Sequence, residues 1–428
     1  MPTRDPIPML PAASGALSLI LCAACADSGP AAAPTTGVVV TDSADIEFVD
    51  VAAEVIDTLP QWTFSTEPML TIGKTTGEDP YLFARIQDAF RLRTGETVVL
   101  EGFDFEFRIF DSDGLFRRSF GGRGEGPGEF GEIVGLRERT EGGIVVADNR
   151  LRRVTLFDDQ GVVSAIRPTV CPADGWYYND VSLCYFGGFT GDGAVFWYGY
   201  RRAQGLPRIN EGTVQRTPGG TQFLALASGD STLVVDSVSA RGNVRIVQSL
   251  NGTPAIWSIP EIFAPEGHWA FGPRSVALGE SSGFEIRLRD SSGELRRVLR
   301  VEREPEFVTS ADIDSIKALT GTPASISPKE LTLQYLDEVP TGGQIPFFSE
   351  FRFDDAGRLW VADYVPPRQL LVPDTTWWTV FDEDALPLAR VATGRSDNIL
   401  ELGEDHILLR ETDEMDVQRV AMYRIERD

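Results

Sequence analysis

Few residues in this chain have the types and spacing that catalysis usually needs. Across 428 residues there are two histidines, His268 and His406, and four cysteines. A structural zinc centre wants four clustered Cys or His ligands, and this supply does not furnish one. No G-x-S-x-G nucleophile elbow occurs. The run GGRGEGPGEFGE (121–132) fails as a dinucleotide fingerprint. Counted from Gly122 the last glycine slot holds Pro127, and counted from Gly124 it holds Glu129. Glu125, Glu129 and Glu132 would repel a phosphate, with Arg123 alone to oppose them. Asp111-Ser112-Asp113-Gly114 opens like a calcium loop, but no glutamate follows at the liganding offset, so it reads as a hairpin turn. The sequence thus assigns no catalytic residue, no metal site and no cofactor; calcium has no motif behind it.

What remains is recognition chemistry. Arginines and aromatics cluster in a few segments, and together they suit carboxylates, sugars or peptides. The candidate binding residues are Arg123, Asp148, Arg150, Tyr200, Arg201, Tyr364 and Arg368, with Trp176, Tyr177, Tyr178 and Arg202 nearby. A formal charge of −25 argues against a general nucleic-acid or anionic-lipid surface.

The elements that must position these residues recur along the chain. One unit is a glycine or acidic turn followed by a short apolar strand: Gly95-ETVVLEG, Gly143-IVVADNR, Gly193-AVFWYGY, Arg274-SVALGES, Gly357-RLWVADY and Asp405-HILLRET. A second is strand, tight turn, strand: FRIFDSDGLFRRSF, RVTLFDDQGVVSAI, TVQRTPGGTQFLAL, FEIRLRDSSGELRRVL and WTVFDEDALPLARV. Aspartate with glycine three residues on marks a type I turn with a glycine bulge. Each repeat offers four antiparallel strands, and such units bury both faces only by stacking around an axis. The expected fold is an all-β, six-bladed β-propeller of four-stranded antiparallel blades. Residues 229–262 leave seven blades as the alternative. The final repeat lacks an outer partner, and Gln61-WTFSTEPMLTIG is expected to supply it and close the ring. A helical insertion is expected at 305–347, with a capping box at Ser327-Pro328-Lys329-Glu330 and a shorter helix at 311–319 capped by Ser310 or Thr309.

The N-terminus is similar to a bacterial lipoprotein signal. An apolar stretch from Met9 to Ala24 ends in Leu21-Cys22-Ala23-Ala24-Cys25, and a small-residue tether follows. This organisation reads as a signal peptide at 1–25 with Cys25 lipidated, a flexible tether at 26–43 and one domain at 44–428. Cys171 and Cys184 are left for that domain, and export would pair them in a disulfide. The GRGEGPGEF string after an F-D-x-D-G hairpin, the late GRLWVADY strand and the closing DEMDVQRVAMYRIER stretch resemble bacterial six-bladed propellers related to the NHL repeat, many of them exported lipoproteins. The resemblance implies a cell-envelope or periplasmic location and no defined activity.

Strand links alternate between the two ends of such a fold. The first-to-second and third-to-fourth links here are short; the others carry the glycine-rich loop, the cysteine loop and the insertion. Binding residues gather on loops held by rigid scaffolds, so the long-link end is the expected working face. Two functions follow. One is a monomeric, non-catalytic module for an unidentified protein, peptide or glycan, touching membrane through its lipid anchor alone. The other is a metal-dependent hydrolase or lyase at the channel mouth.

Overall fold

The computed structural model describes residues 37–168, 181–201, 214–228, 231–250, 253–319, 329–369, 375–395 and 397–427. Cys25, Cys171, Trp176, Tyr177, Tyr178, Arg202 and the Ser327-Pro328 cap lie outside them, so the disulfide and lipidation expectations do too.

The described chain is mostly strand, in recurring four-stranded antiparallel sheets consistent with a β-propeller. Sheet one is Ile86–Arg91, Thr97–Glu101, Glu106–Phe110 and Phe116–Gly121; sheet two is Ile133–Glu138, Ile144–Asp148, Arg153–Phe157 and Val163–Pro168. Sheet three is Val181–Phe189, Val195–Arg201, Thr221–Ser228 and Ser231–Ser239; sheet four is Gly267–Phe271, Ser275–Glu280, Glu285–Asp290 and Leu295–Val301. Sheet five is Phe348–Phe353, Leu359–Asp363, Thr375–Phe381 and Pro387–Gly394, and sheet six is Asn398–Leu402, His406–Thr412 and Gln418–Arg427. The second strands Thr97–Glu101 and Ile144–Asp148 are buried at every position, because sheet neighbours cover both faces. Phe116–Gly121, outermost in sheet one, alternates half-buried with exposed. The sequence shows the same contrast, TVVLE against FRRSFG.

The hairpin turns behave as their chemistry dictates. Asp111 Oδ1 accepts the N–H groups of Asp113 and Leu115 at 3.0 and 2.8 Å. Asp158, Asp290 and Asp382 repeat this pattern. Gly114, Gly161 and Gly293 take the left-handed position with φ of 76°, 79° and 85°; in the fourth copy Ala385 takes it, at φ 60°.

The last sheet is completed from the other end of the chain. Gln418–Arg427 pairs antiparallel with Gln61–Phe64 (Trp62↔Arg427) and with Leu70–Ile72 (Val420↔Ile72). Gln61–Phe64 also runs parallel to Pro387–Gly394, joining sheets five and six. Trp62, 9 % exposed, fills this junction. It packs edge-on to Trp360 at 6.3 Å, and the Arg358 and Arg427 guanidinium groups stand 5.3 and 4.8 Å from its ring centre.

Three expectations change. Residues 38–43, placed in the tether, form a strand, Val38–Ser43, paired with Ile46–Val51 on the outer edge of sheet four. Three consecutive β-branched valines favour that extended backbone. The TVQRTPGGTQFLAL hairpin does not form: Val214–Thr217 pairs with Asn243–Leu250, which pairs with Thr253–Pro260 in a separate three-stranded sheet. Pro218-Gly219-Gly220 carries the chain from one sheet to the other; a Cβ on Gly219 would lie 1.8 Å from the Ala240 carbonyl oxygen. Within residues 229–262, held open for a seventh blade, Ser231–Ser239 is the fourth strand of sheet three and Asn243–Leu250 the middle of the separate sheet.

The insertion forms two helices, Ser310–Leu319 and Lys329–Asp337. Thr309 caps the first, its N–H and Oγ1 both bonded to Asp312 Oδ2 at 2.9 and 2.7 Å. Tyr335 of the second is fully buried against Val244, and its hydroxyl accepts the Ile262 N–H at 3.1 Å. The insertion therefore packs on the separate three-stranded sheet.

Trp62→Ala should cost about 3–5 kcal/mol in chemical denaturation, as expected for emptying a buried aromatic site. Val39→Ala, on an exposed edge, should stay within about 0.5 kcal/mol. Equal effects would mean that the junction carries no special weight.

Candidate functional site

The first strands of the six sheets all run toward one cavity of about 1070 Å³. Each sheet contributes from the end of its first strand or from the short link after it: Asp88 to Gly95, Leu136 to Thr140, Gly191, Ala270 to Arg274, Phe351 to Asp355 and Leu400 to His406. The first strands also touch one another. Gln87 Nε2 donates to the Ile133 carbonyl at 2.9 Å, and Arg352 Nη1 to the Ile399 carbonyl at 2.9 Å. Packing contacts join sheets two and three, three and four, four and five, and six and one. The volume falls in the range of small-molecule sites.

Glu401 stands at the centre of the charge arrangement. Its Oε2 accepts the Arg91 N–H from sheet one at 2.9 Å and lies 3.2 Å from His406 Nε2. His406 is 4 % exposed, and its Nδ1 lies 3.0 Å from Asp405 Oδ1. Burial opposes the charge on His406, but the Glu401 and Asp405 carboxylates outweigh it and raise its pKa. The ring lies over Gly403, where a Cβ would stand 2.0 Å from Cε1; no larger residue fits beneath it.

Three further carboxyls feel Glu401. Burial pushes Asp88 up to about 7; its own backbone neighbour Ala89 N–H pulls it down, Glu401 raises it, and Arg352 and Arg410 lower it. Asp355 opens into the cavity and is also pushed up to about 7, by desolvation and then Glu401, against His406 and Arg137. Glu138 is raised, chiefly by burial, although it bonds the Arg93 N–H at 3.2 Å. Neither Asp88 nor Asp355 forms an ion pair among the described residues. Arg137 crosses the floor and donates to the carbonyls of Phe271 and Gly272, each at 2.8 Å. Two carboxyls that change charge near neutrality, one of them acted on by a histidine whose pKa is raised, can exchange protons or grip a charged ligand. Among the described residues no three His, Cys, Asp or Glu side chains are grouped to hold a metal ion.

The residues expected from sequence lie at the opposite, long-link end, each engaged by its own surroundings. Arg123 folds back onto the Phe103 carbonyl at 2.7 Å and over the Phe105 ring at 4.6 Å. Asp148, 2 % exposed, accepts the N–H groups of Gly131 and Leu151, both at 2.7 Å, and so clamps its loop. Arg150 is exposed and lies across Gly131. Tyr200 packs beside Gly220, and Arg201 sits 4.7 Å from the Phe223 ring. Arg368 bonds Asp312 Oδ2 at 2.8 Å and also Glu306. Tyr364 alone of the set lines a cavity, of about 150 Å³, with Arg303, Asp363, Pro366 and Trp377. In the glycine-rich loop the Glu129 carboxylate accepts the Gly126 N–H at 2.8 Å and occupies the space a bound phosphate would need. Gly126 itself lacks a positive φ, unlike Gly124 and Gly128 at 158° and 79°.

His268 sits edge-on to Phe348 and Phe351 at 5.5 and 5.8 Å; burial first, then Arg241, holds it down at about 4, so it is neutral.

No family model matches the chain. No curated protein matches it. Among solved structures, a Bacteroides fragilis protein whose name marks it as a candidate exported protein aligns at TM-score 0.43 and 11% identity, over 89% of this chain and 100% of its own. A DUF4221-family member from Bacteroides vulgatus aligns at 0.39 and 12%, over 86% and 96%. A catalytically inactive virginiamycin B lyase from Staphylococcus aureus, with quinupristin, aligns at 0.33 and 9%, over 80% and 97%. At these values none carries an argument about this chain. Among the described residues no helix is long and apolar enough to cross a membrane.

Asp88, Asp355 and His406 all have folded pKa values above their unfolded ones. Their stabilising contributions are present in acid and fade as pH rises through the folded values, near 7 for the two aspartates. Stability should therefore fall between about pH 5 and 8 by denaturant melts, and Asp88→Asn with Asp355→Asn should flatten that slope. A slope of the opposite sign would refute the charge assignment.

Proposed function

We propose that this chain is an exported, lipid-anchored β-propeller of six blades that binds a small polar or peptide ligand in the cavity at its short-link end. The observation that carries the reading is the convergence of six first strands on one ligand-sized cavity that holds two carboxyls without ion pairs. Asp88 is half-buried with its own Ala89 N–H as partner and Asp355 is exposed to the cavity; carboxyls with raised pKa values in a cleft gather at functional sites. The six-blade count is supported by the contacts that run from sheet to sheet and back from six to one, and by the separate sheet having three strands rather than four. Export and lipidation rest on the Leu21–Cys25 stretch. The long-link face, with the smaller cavity beside Tyr364, serves as a contact surface for a partner protein, peptide or glycan, and the chain works as a monomer without a cofactor.

A second reading places a hydrolase or lyase at the same cavity. It is favoured by His406 and Asp355, two groups with raised proton affinity beside the Glu401 carboxylate, either of which could serve as a general acid. A metal-dependent version would need Asp88, Asp355, Glu401 or His406 as ligands.

Thermal shift of the full chain against amino acids, short peptides and oligosaccharides tests binding. Binders should raise the midpoint of wild type but not of Arg274→Trp, which narrows the mouth. No shift with any compound would overturn the ligand reading. Turnover of an ester or lactone panel, lost in His406→Gln, would install the second reading in its place.

A further inference from the structure

Resting on the cavity as a ligand site, we propose that its ligand is an organic cation: a protonated amine joined to an apolar body. The two sides of the cup differ in chemistry. Sheets five, six and one supply Asp355, Glu401, Asp405 and Asp88, with Asp354 and Glu404, which outnumber the Arg91, Arg93 and Arg352 beside them. The side made by sheets three and four supplies Gly191, Ala270, Phe271 and Pro273 and, among the described residues, no carboxylate. An uncharged polar ligand would leave the first wall unmatched; an anion would be repelled by it. A purely inorganic cation would leave the second wall wet.

Most arginines near the carboxyl wall are already committed, Arg93 to Glu138 at 3.2 Å among them, while Arg91 acts on Asp405. Arg352 Nε holds Glu350 at 2.7 Å and its Nη1 the Ile399 carbonyl. Arg410 spans the Ile86 carbonyl and Asn398 Oδ1, both at 2.8 Å. Arg137 is tied to two carbonyls across the floor. His406 answers Glu401 and Asp405. Asp88 and Asp355 are left with room for an incoming donor. Asp88 has its own Ala89 N–H at 2.9 Å as its hydrogen-bond partner. Arg274, exposed on the rim beside the apolar wall, disfavours the reverse orientation of the amine.

Charged groups face these carboxyls from several elements: Glu401, Arg352 and Arg410 around Asp88, and Glu401, His406, Arg137 and Asp354 around Asp355. An ammonium bound at either carboxyl replaces the proton that carboxyl holds near neutrality, so binding releases protons to the buffer.

The test is calorimetric titration of the full chain with a diphenylalanine amide and its N-acetyl form, which share a body and differ in charge. The free amine should bind about tenfold or more tightly than the acetylated form. It should release protons at pH 7, read as a heat that varies with buffer ionisation enthalpy. Asp88→Asn with Asp355→Asn should abolish that preference while raising, not lowering, the melting midpoint of the ligand-free protein at pH 8. Equal binding of both forms, or amine binding without proton release in wild type, overturns the cation assignment and leaves the cavity reading standing. If neither form binds and the broader peptide and sugar panel also fails, both readings fall.

Discussion

Glu401 is the carboxylate on which the cavity is organised. It ties sheet six to the first strand of sheet one through the Arg91 N–H, and with Asp405 it raises the proton affinity of His406. Its charge then bears on Asp88, Asp355 and Glu138, from three other first strands or links. Its own hairpin supplies His406, but its other partner, the Arg91 N–H, comes from the first sheet. It needs the last sheet brought against the first, which happens only when Gln418–Arg427 has found residues 61–72. Charge placement and sheet closure are therefore one constraint seen at two scales.

The rest of the molecule shows how a charged cup can be tolerated. Elsewhere, buried acids are fully used. Glu101 accepts the N–H groups of Arg85, Phe103 and Asp104; Asp354 holds Arg358 and Trp360; Asp363 holds Arg303 and Arg390. These are structural carboxylates, paired or capped in proportion to their burial. Asp88 and Asp355 depart from that pattern.

Much of the architecture was legible in the sequence because it is local. Aspartate and glycine at fixed offsets mark the hairpins, apolar runs mark the second strands, and a final repeat without an outer partner points back to Gln61. The exchange at Pro218-Gly219-Gly220 was not legible, since glycine there allows a hairpin and a crossover equally, and tertiary packing decides. The site was hardest. Glu401 and Asp88 lie far apart in sequence and sit inside ordinary strand patterns, with no motif around either. Arginines and aromatics on long loops attracted notice, yet most of them staple those loops. One signal was available: polar residues at inward positions of otherwise apolar first strands, as in IQDAFR and NILEL.

The pairing of Gln418–Arg427 with Gln61–Phe64 and Leu70–Ile72 also governs when the molecule can exist at all. Ribosomes make residues 61–72 long before their partner strand. Contacts spanning nearly the whole chain form slowly, because the ends must be brought together before any contact rewards it. During synthesis the early sheets can form hairpins, but the junction around Trp62 stays open until the final strand is released. A nascent chain of this design keeps its junction open until residues 418–427 are made.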